Sequence, residues 1–413
     1  MRETDAPQPL AGLEVTECAS FVAGPTGGMT LAQLGADVVR IDPIGGGSDH
    51  CRWPLVGDGE GAADSDSYYW TSLNKGKRSI AVDMRSEEGR ELVIALVTAP
   101  GENRGVLVDN VVGRRWMSNE ALVAHRSDLI HLRVQGYPDG SPAVDYTVNA
   151  EVGIPEITGP EVGGTPVNHV LPAWDLVAGL TVSTGVLAAL YERSRTGRGS
   201  YVELALSDVA LSGVANLGWL SEAAERGSDR SRCGNHVYGS FGVDFPCSDG
   251  KRVMVVALTP GQWSALCRAT GTGEVFDALA PVLGADWADE ADRYRHREAI
   301  AAILKPWFAA RDSKQVADEL DSARVLWGKY QGMTDVVAEH RAGRHAVLAD
   351  AALPGGAGAI TARSPLRWNG AHSRVGVPPD LGRETDEVLA TRLRLSDAEI
   401  GGLRSRGVVA GPR

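Results

Sequence analysis

The sequence predicts an α/β fold, a mainly parallel sheet covered by helices, followed by a smaller α+β domain. Short alternating apolar runs trade places with helical stretches through the first half, a pattern that puts parallel strands under crossover helices. From about Arg226 the texture changes to a hairpin followed by helices. The 413 residues allow two or three units at about 150 residues each. The expected division is a large domain over 1–225, a small domain over 226–330, and a linker and tail over 331–413 that returns to the large domain.

Taken in order, residues 13–17 alternate like a strand, 24–28 read as a glycine-rich turn, 29–34 suit a helix, and 36–41 form a second strand. A third cycle follows in strand 79–83, helix 86–97 and strand 105–109, and a fourth in helix 119–126 and strand 129–134. After Asp175 an apolar helix runs to about Arg193 and stops at Thr196-Gly197, where glycine suits a C-terminal cap. Strand alternation resumes at 202–206. Asp249-Gly250 marks a hairpin turn between 243–245 and 252–256, with helices then dominating to about Leu320. From Ala351 the Gly- and Pro-rich tail is expected to be extended until a last helix over 384–393.

Composition narrows the function. With 41 basic against 53 acidic residues, net −12, and no Lys/Arg block, no nucleic-acid partner is expected. The five cysteines, Cys18, Cys51, Cys233, Cys247 and Cys267, include no CxxC pair and read as reduced cytosolic thiols, with no metal centre. Residues 1–10 lack the basic and apolar regions of a signal peptide. The most membrane-like stretch, 177–190, contains Thr and Ser and falls short of the roughly 20 apolar residues a span requires. A cytoplasmic protein without a membrane partner is expected.

Individual motifs carry competing readings. Gly24 to Gly28 with Asp42 imitates a dinucleotide fingerprint and its ribose acid, but the spacing is wrong for GxGxxG. P-loop, GxSxG, HExxH and EF-hand patterns do not occur. Lys75, Lys77 and Arg78 surround Gly76 directly before a strand and could either meet the phosphates of an extended ligand or form a solvated turn. Asp175 reads as a helix N-cap or as a carboxylate nucleophile, and the helix N-terminus would keep it ionised in either role. His169, six residues earlier, is either structural or part of the same pocket.

Together these pieces resemble one family. Pro9-Leu10-Ala11-Gly12-Leu13-Glu14-Val15, Ala23-Gly24-Pro25, Leu34-Gly35-Ala36-Asp37-Val38-Val39-Arg40, the 73–79 stretch, the aspartate before an apolar helix, and Arg195-Thr196-Gly197-Arg198-Gly199 occur in the order and spacing of class III CoA-transferases. Pro379-Asp380-Leu381-Gly382-Arg383-Glu384-Thr385-Asp386 resembles their C-terminal signature. The resemblance implies a Rossmann-like large domain, a small domain, and two subunits interlocked like chain links. It places the nucleophile on Asp175, four residues before Gly179. It carries CoA contacts over to Arg40, Leu73, Lys75 or Lys77, Arg78, Asn110, and Arg114 or Arg115, and puts Tyr137 at the acyl site.

A mobile glycine-rich loop of some members is replaced here by residues 235–242, which makes Tyr238 and Gly239 candidate substrate contacts. The family's racemases use a histidine where Val144 stands, and a valine cannot exchange a proton. The 21–25, 42–47, 52–54, 168–175 and 326–328 stretches resemble members that move CoA between the two carboxyls of one methylfumaryl group. That subgroup implies an acyl-CoA substrate, an aspartyl-CoA intermediate and no cofactor beyond the CoA moiety of the substrate. Phe21 would lie beside the substrate, and Arg52 or His169 would pair with the non-reacting carboxylate. Backbone N–H groups at the helix start and around Gly239 would hold the oxyanion. An intermolecular CoA-transferase and a noncatalytic CoA-binding protein are the alternatives.

Overall fold

The computed structural model describes residues 7–57 and 66–412. The chain begins β1 (Glu14–Cys18), α1 (Ala23–Gln33), β2 (Asp37–Asp42), α2 (Tyr68–Asn74), β3 (Arg78–Val82), α3 (Glu87–Val97), β4 (Val106–Asp109), α4 (Asn119–Val123) and β5 (Ile130–Gln135). It continues α5 (Asp145–Glu151), α6 (Ile154–Ile157), α7 (Ala173–Thr196), β6 (Ser200–Ala205), α8 (Leu206–Asn216), α9 (Trp219–Arg226), β7 (Phe241–Pro246) and β8 (Arg252–Ala257). Then come α10 (Pro260–Thr270), α11 (Gly273–Leu283), α12 (Glu290–Arg295), α13 (Arg297–Ala309), α14 (Ser313–Ala323), β9 (Leu326–Lys329) and α15 (Met333–Arg341). The tail holds β10 (Leu348–Ala352), β11 (Gly358–Ala362), β12 (Arg367–Trp368), β13 (Ala371–His372), α16 (Thr385–Leu393), α17 (Asp397–Ser405) and β14 (Val409–Ala410).

The chain divides into two compact units. The first comprises residues up to 152, 170–221 and 343 onward; the second comprises 153–169 and 222–342. The second is therefore wider than the 226–330 read from the sequence. Local bonds explain why 153–169 joins it: the Gly234 N–H donates to the Gly159 carbonyl (3.0 Å), and Arg232 donates to the Glu156 carbonyl (2.8 Å) and to that of Gly164.

In the first unit, among the described residues, seven strands share a sheet in the order β14-β3-β2-β1-β4-β5-β6. All neighbours are parallel except β14, which pairs antiparallel with β3 at the edge. Side chains alternate between two cores, as strand geometry requires. Val38, Val106, Val108 and Leu132 face α1, α7 and α8, whereas Val39, Ile41, Ile80 and Leu107 face α3, α16 and α17. Both faces of the sheet are buried, and the polar residues that alternate into strands such as EVTEC (β1) and IHLRVQ (β5) are buried too, apart from the half-buried Glu14.

Two sequence expectations change here. Residues 24–28 are not a turn but the first part of α1. A Cβ on Gly27 would sit 2.4 Å from Val182 Cγ1, and one on Gly179 would sit 2.5 Å from Thr26 Cβ. The small residues are there so that α1 and α7 can cross closely. The tail is not extended throughout: β10 and β11 form a hairpin, and α17 and β14 follow the expected last helix. The 379–386 motif fastens that tail, since Glu384 accepts the Ser79 N–H (2.9 Å) and Thr385 Oγ1 accepts the Ala81 N–H (3.2 Å).

The second unit pairs the antiparallel sheet β7-β8-β9 with helices around an aromatic core, in which Phe245 stacks on Phe308 at 4.2 Å. The Asp249-Gly250 turn joins β7 to β8 as the sequence indicates. Of the described helices, α7 is long and apolar enough by composition to cross a membrane; Val182 and Val186 on it are buried in the first core.

Candidate active site

The site lies where the strand order reverses. β1 has β2 on one side and β4 on the other, which opens a crevice at the carboxyl ends of β1 and β4. Asn110, just past β4, closes the loop after β1: its side chain donates to the Ser20 carbonyl (3.0 Å) and accepts the Ser20 N–H (3.2 Å). Phe21 then adopts a positive φ of 69°, a costly conformation for an aromatic residue. The Asp49 carboxylate holds it there by accepting the Phe21 N–H (2.8 Å).

Asp49 belongs to a buried charge network. Arg40, 1% exposed, donates to Asp42 (2.9 Å), Asp49 (3.1 Å) and Asn74 (3.0 Å). Lys77 donates to Glu17 (2.7 Å), to Asn74 (2.7 Å) and to the Pro25 carbonyl (2.9 Å). Burial pushes the Lys77 ammonium down to about 8 and raises Glu17 above the usual carboxylate range. These pairings give the predicted ligand contacts partners within the protein. Arg40 and Lys77 are internal braces whose charge is spent on buried carboxylates, and Asp42 is spent on Arg40 instead of facing a ribose. Lys75 donates to the Ser72 carbonyl (2.9 Å), with burial lowering it to about 8, and Arg78 pairs with Asp37 and with Glu387. The basic stretch is thus distributed among intrachain partners, with Leu73 half-buried on α2 beside it.

Asp175 stands on the other side of the crevice. It is the third residue of α7 and not its N-cap, which is Pro172. Pro172 has no capping side chain, and the buried Asp145 at the start of α5 serves instead. Its Oδ2 accepts the N–H groups of Trp174 (2.7 Å) and Asp175 (3.2 Å). The amides expected to keep Asp175 ionised and to hold the oxyanion are therefore engaged by another carboxylate. Burial pushes the Asp175 carboxyl up to about 6, the Asp145 charge adds to the rise, and Arg52 opposes it. At neutral pH a group of that pKa is still about 90% ionised.

Asp175 opens into a cavity of about 370 Å³, lined also by Phe21, Asn110, Gln135, Gly136 and Val144. The Arg52 guanidinium is within cation–π range of Phe21 (5.7 Å) and Tyr69 (5.5 Å), and no ion pair engages it among the described residues. Burial raises the Tyr69 phenol to about 12, with Arg52 lowering it and Asp175 adding to the rise. Asp175, Phe21 and Asn110, the loop clamp, thus line one cavity, and Arg52 lies over the Phe21 ring beside it.

The other candidates lie elsewhere. Tyr137 donates its hydroxyl to Glu151 (2.6 Å) and is not part of the cavity lining, although Gln135 and Gly136 beside it are. Arg114 lines a second cavity of about 840 Å³ with Arg85 and Arg404 beside the ends of β2 and β3, and Arg115 is exposed next to it. His169, Tyr238 and Gly239 belong to the second unit. There Tyr238 donates its hydroxyl to Glu222, with the Arg230 guanidinium 3.8 Å from its ring, and Gly239 takes a positive φ of 79°.

Sequence reasoning passed over Asp49, Tyr69 and Asp145. Asp145 and Asn149, four residues apart on one helix face, were the available signal, since Asn149 accepts the Trp174 indole N–H (3.0 Å).

Comparison with known proteins places the chain among relatives of known kind. Residues 10–385 match the sequence profile of CoA-transferase family III. The chain is 46% identical to 2-methylfumaryl-CoA isomerase of Chloroflexus aurantiacus over 407 residues, 98% of each chain. It is 32% identical to succinyl-CoA:mesaconate CoA-transferase of Haloarcula hispanica over 375 residues, covering 87% of this chain and 89% of that one. A crystal structure of a CaiB/BaiF family protein from Brucella suis superposes with a TM-score of 0.75 at 27% identity, covering 94% of this chain and 99% of the other.

Proposed function

The chain belongs to CoA-transferase family III, and from that premise we propose that it moves CoA between the C1 and C4 carboxyls of 2-methylfumaryl-CoA, the isomerisation for which its 46%-identical relative is named. The observation that carries this reading is a partly buried carboxylate, Asp175, opening into a cavity it shares with Phe21, while the exposed Arg52 guanidinium lies over the Phe21 ring, acts electrostatically on Asp175 and has no ion-pair partner among the described residues. A nucleophile and a receptor for a second carboxylate are what a diacid thioester requires.

In this mechanism an Asp175 oxygen attacks the C1 thioester carbonyl and expels CoA thiolate, leaving an acyl-aspartyl anhydride. The thiolate attacks the aspartyl carbonyl of the anhydride, giving aspartyl-CoA and a free C1 carboxylate. The C4 carboxylate of the same molecule then attacks aspartyl-CoA and again expels the thiolate. Attack of that thiolate on the C4 carbonyl gives the C4 thioester and restores Asp175. Atoms and charge balance without a redox step, so the reaction calls on no cofactor beyond the CoA of the substrate. Retaining the diacid makes the second half-reaction intramolecular, for which effective molarities can reach about 10⁵ M.

Arg52 would bind the carboxylate not under attack as a charge-assisted pair. The open arginine cavity around Arg114 suits the phosphates of CoA. Tyr137, next to the cavity-lining Gly136, would adjoin the acyl group. The working assembly would be an interlocked homodimer in the cytoplasm. Intermolecular transfer is favoured less, because the relative so named is 32% identical and not 46%.

The test is to supply either thioester regioisomer of 2-methylfumaric acid and follow its conversion to the other. Wild-type protein interconverts them, Asp175→Ala does not, and hydroxylamine-sensitive CoA is found on the Asp175 peptide of the wild type by mass spectrometry. Full activity in Asp175→Ala would end the proposal.

A further inference from the structure

Resting on the reading of Asp175 as the covalent acceptor, we propose that Asp145 is a positioning residue: it occupies the N-terminal amides of α7, fixes the Asp175 backbone, and withholds from the Asp175 carboxylate the stabilisation those amides would give. A helix N-terminus offers unpaired N–H groups and the positive end of the dipole, and a carboxylate there is normally favoured. Two carboxylates meet at the start of α7. Asp145, 1% exposed, takes the Trp174 and Asp175 N–H groups through one oxygen, at 2.7 and 3.2 Å.

One turn along α5, Asn149 anchors the Trp174 indole, and the ring lies against α8 where a Cβ on Gly213 would be only 2.8 Å away. Three hydrogen bonds from two residues of α5 therefore hold the first turn of α7. Asp175 is left half-buried without those amides, beside a second negative charge.

The other groups around it do not supply the missing stabilisation in full. Arg52 faces Asp175 from the loop after β2, and Tyr69 faces it from α2. On α5, Tyr146 directs its hydroxyl to the Val170 carbonyl (3.4 Å). Of the elements packed on α7, α1 has no ionisable side chain and Asp208 of α8 is exposed. His131 and Arg133 of β5 are bound to Asp109, and Tyr201 of β6 donates to Glu203.

The consequence is chemical. A carboxylate deprived of stabilising donors is a better nucleophile and a better base. Acylation also removes the Asp175 charge, so it relieves the repulsion from Asp145; the same residue that raises the energy of the free anion favours the anhydride and the aspartyl-CoA thioester.

The test separates charge from structure. Asp145→Asn keeps an oxygen to accept both N–H groups and removes only the charge, whereas Asn149→Ala loosens the turn without altering charge. Protonation of Asp175 is followed without substrate as the pH dependence of carbodiimide–amine labelling, read on the Asp175 peptide by mass spectrometry. In Asp145→Asn the labelling midpoint moves down by about one unit, the acid limb of kcat/KM moves with it, and less acylated enzyme accumulates after mixing with thioester. In Asn149→Ala turnover falls and the midpoint stays.

An unmoved midpoint in Asp145→Asn, or an equal shift in Asn149→Ala, would overturn the proposal. If Asp145→Asn does not fold, Asp145→Ser, whose hydroxyl still accepts an N–H and carries no charge, is read in its place: a midpoint moved down supports the proposal, and an unmoved one, or a wild-type midpoint already at about 4, the ordinary aspartate value, overturns it. Because labelling needs no substrate, a wild type inactive toward the diacid thioester would refute the proposed reaction without touching this result.

Discussion

Replacing Asp175 by Asn should make the protein more stable while abolishing its chemistry. The carboxyl of Asp175 is raised from 3.8 to about 6 by burial and by Asp145. A carboxyl raised in the folded state contributes stability that is fully present below its ordinary value and is lost as pH rises through the folded value. Wild type therefore loses stability, relative to a neutral side chain, between about pH 4 and pH 6 and does not regain it above. Two units correspond to about 3 kcal/mol as a ceiling, and partial solvation and relaxation reduce this to about 1–2 kcal/mol. For a chain of this size that amounts to about 1–3 °C in Tm. The assay is thermal unfolding of wild type and Asp175→Asn at pH 5 and pH 8 and equal protomer concentration. The Asn variant should melt higher, with the larger margin at pH 8. A variant less stable than wild type at pH 8, or a margin that shrinks as pH rises, would refute the electrostatic reasoning.

Two further outcomes follow from the site. Arg52→Met should raise KM for the dicarboxyl thioester about 10- to 100-fold, as loss of a charge-assisted pair implies, and leave KM for a monocarboxyl thioester of equal length nearly unchanged; equal effects on both would remove Arg52 from carboxylate recognition. Lys77→Met should destabilise the first unit by about 3–5 kcal/mol, because it removes the near partner of the buried Glu17 charge and leaves it to Arg40, 3.6 Å away; denaturant unfolding checks this, and an unchanged midpoint joined to a raised KM for acyl-CoA would return Lys77 to the ligand.

The parallel sheet was legible because strands such as Val106 to Val108 are apolar on both faces and alternate with helices. The small domain announced itself through Asp249-Gly250. Other features depend on contacts that local pattern does not encode. Gly24, Gly27 and Gly28 look like a turn in sequence, yet they lie in α1, where Gly24 packs against Ala19, Gly27 against Val182 of α7, and Gly28 against Glu17. Arg40 and Lys77 look like ligand cations until Glu17, Asp42 and Asp49 close around them. Asp175 was identifiable from its place before an apolar helix, but its surroundings were not. The Asp145 carboxylate that caps α7 comes from 30 residues upstream, and no periodicity connects the two.

The central claim, that CoA passes between two carboxyls of one retained diacid, is tested most directly by turnover of unlabelled 2-methylfumaryl-C1-CoA in the presence of excess ¹³C-labelled free 2-methylfumarate. The product thioester is analysed by mass spectrometry at several times before equilibrium. The account predicts that C4 thioester appears without label while free diacid stays labelled. Incorporation of label into C4 thioester at the rate of turnover would contradict it and establish an intermolecular transferase in its place.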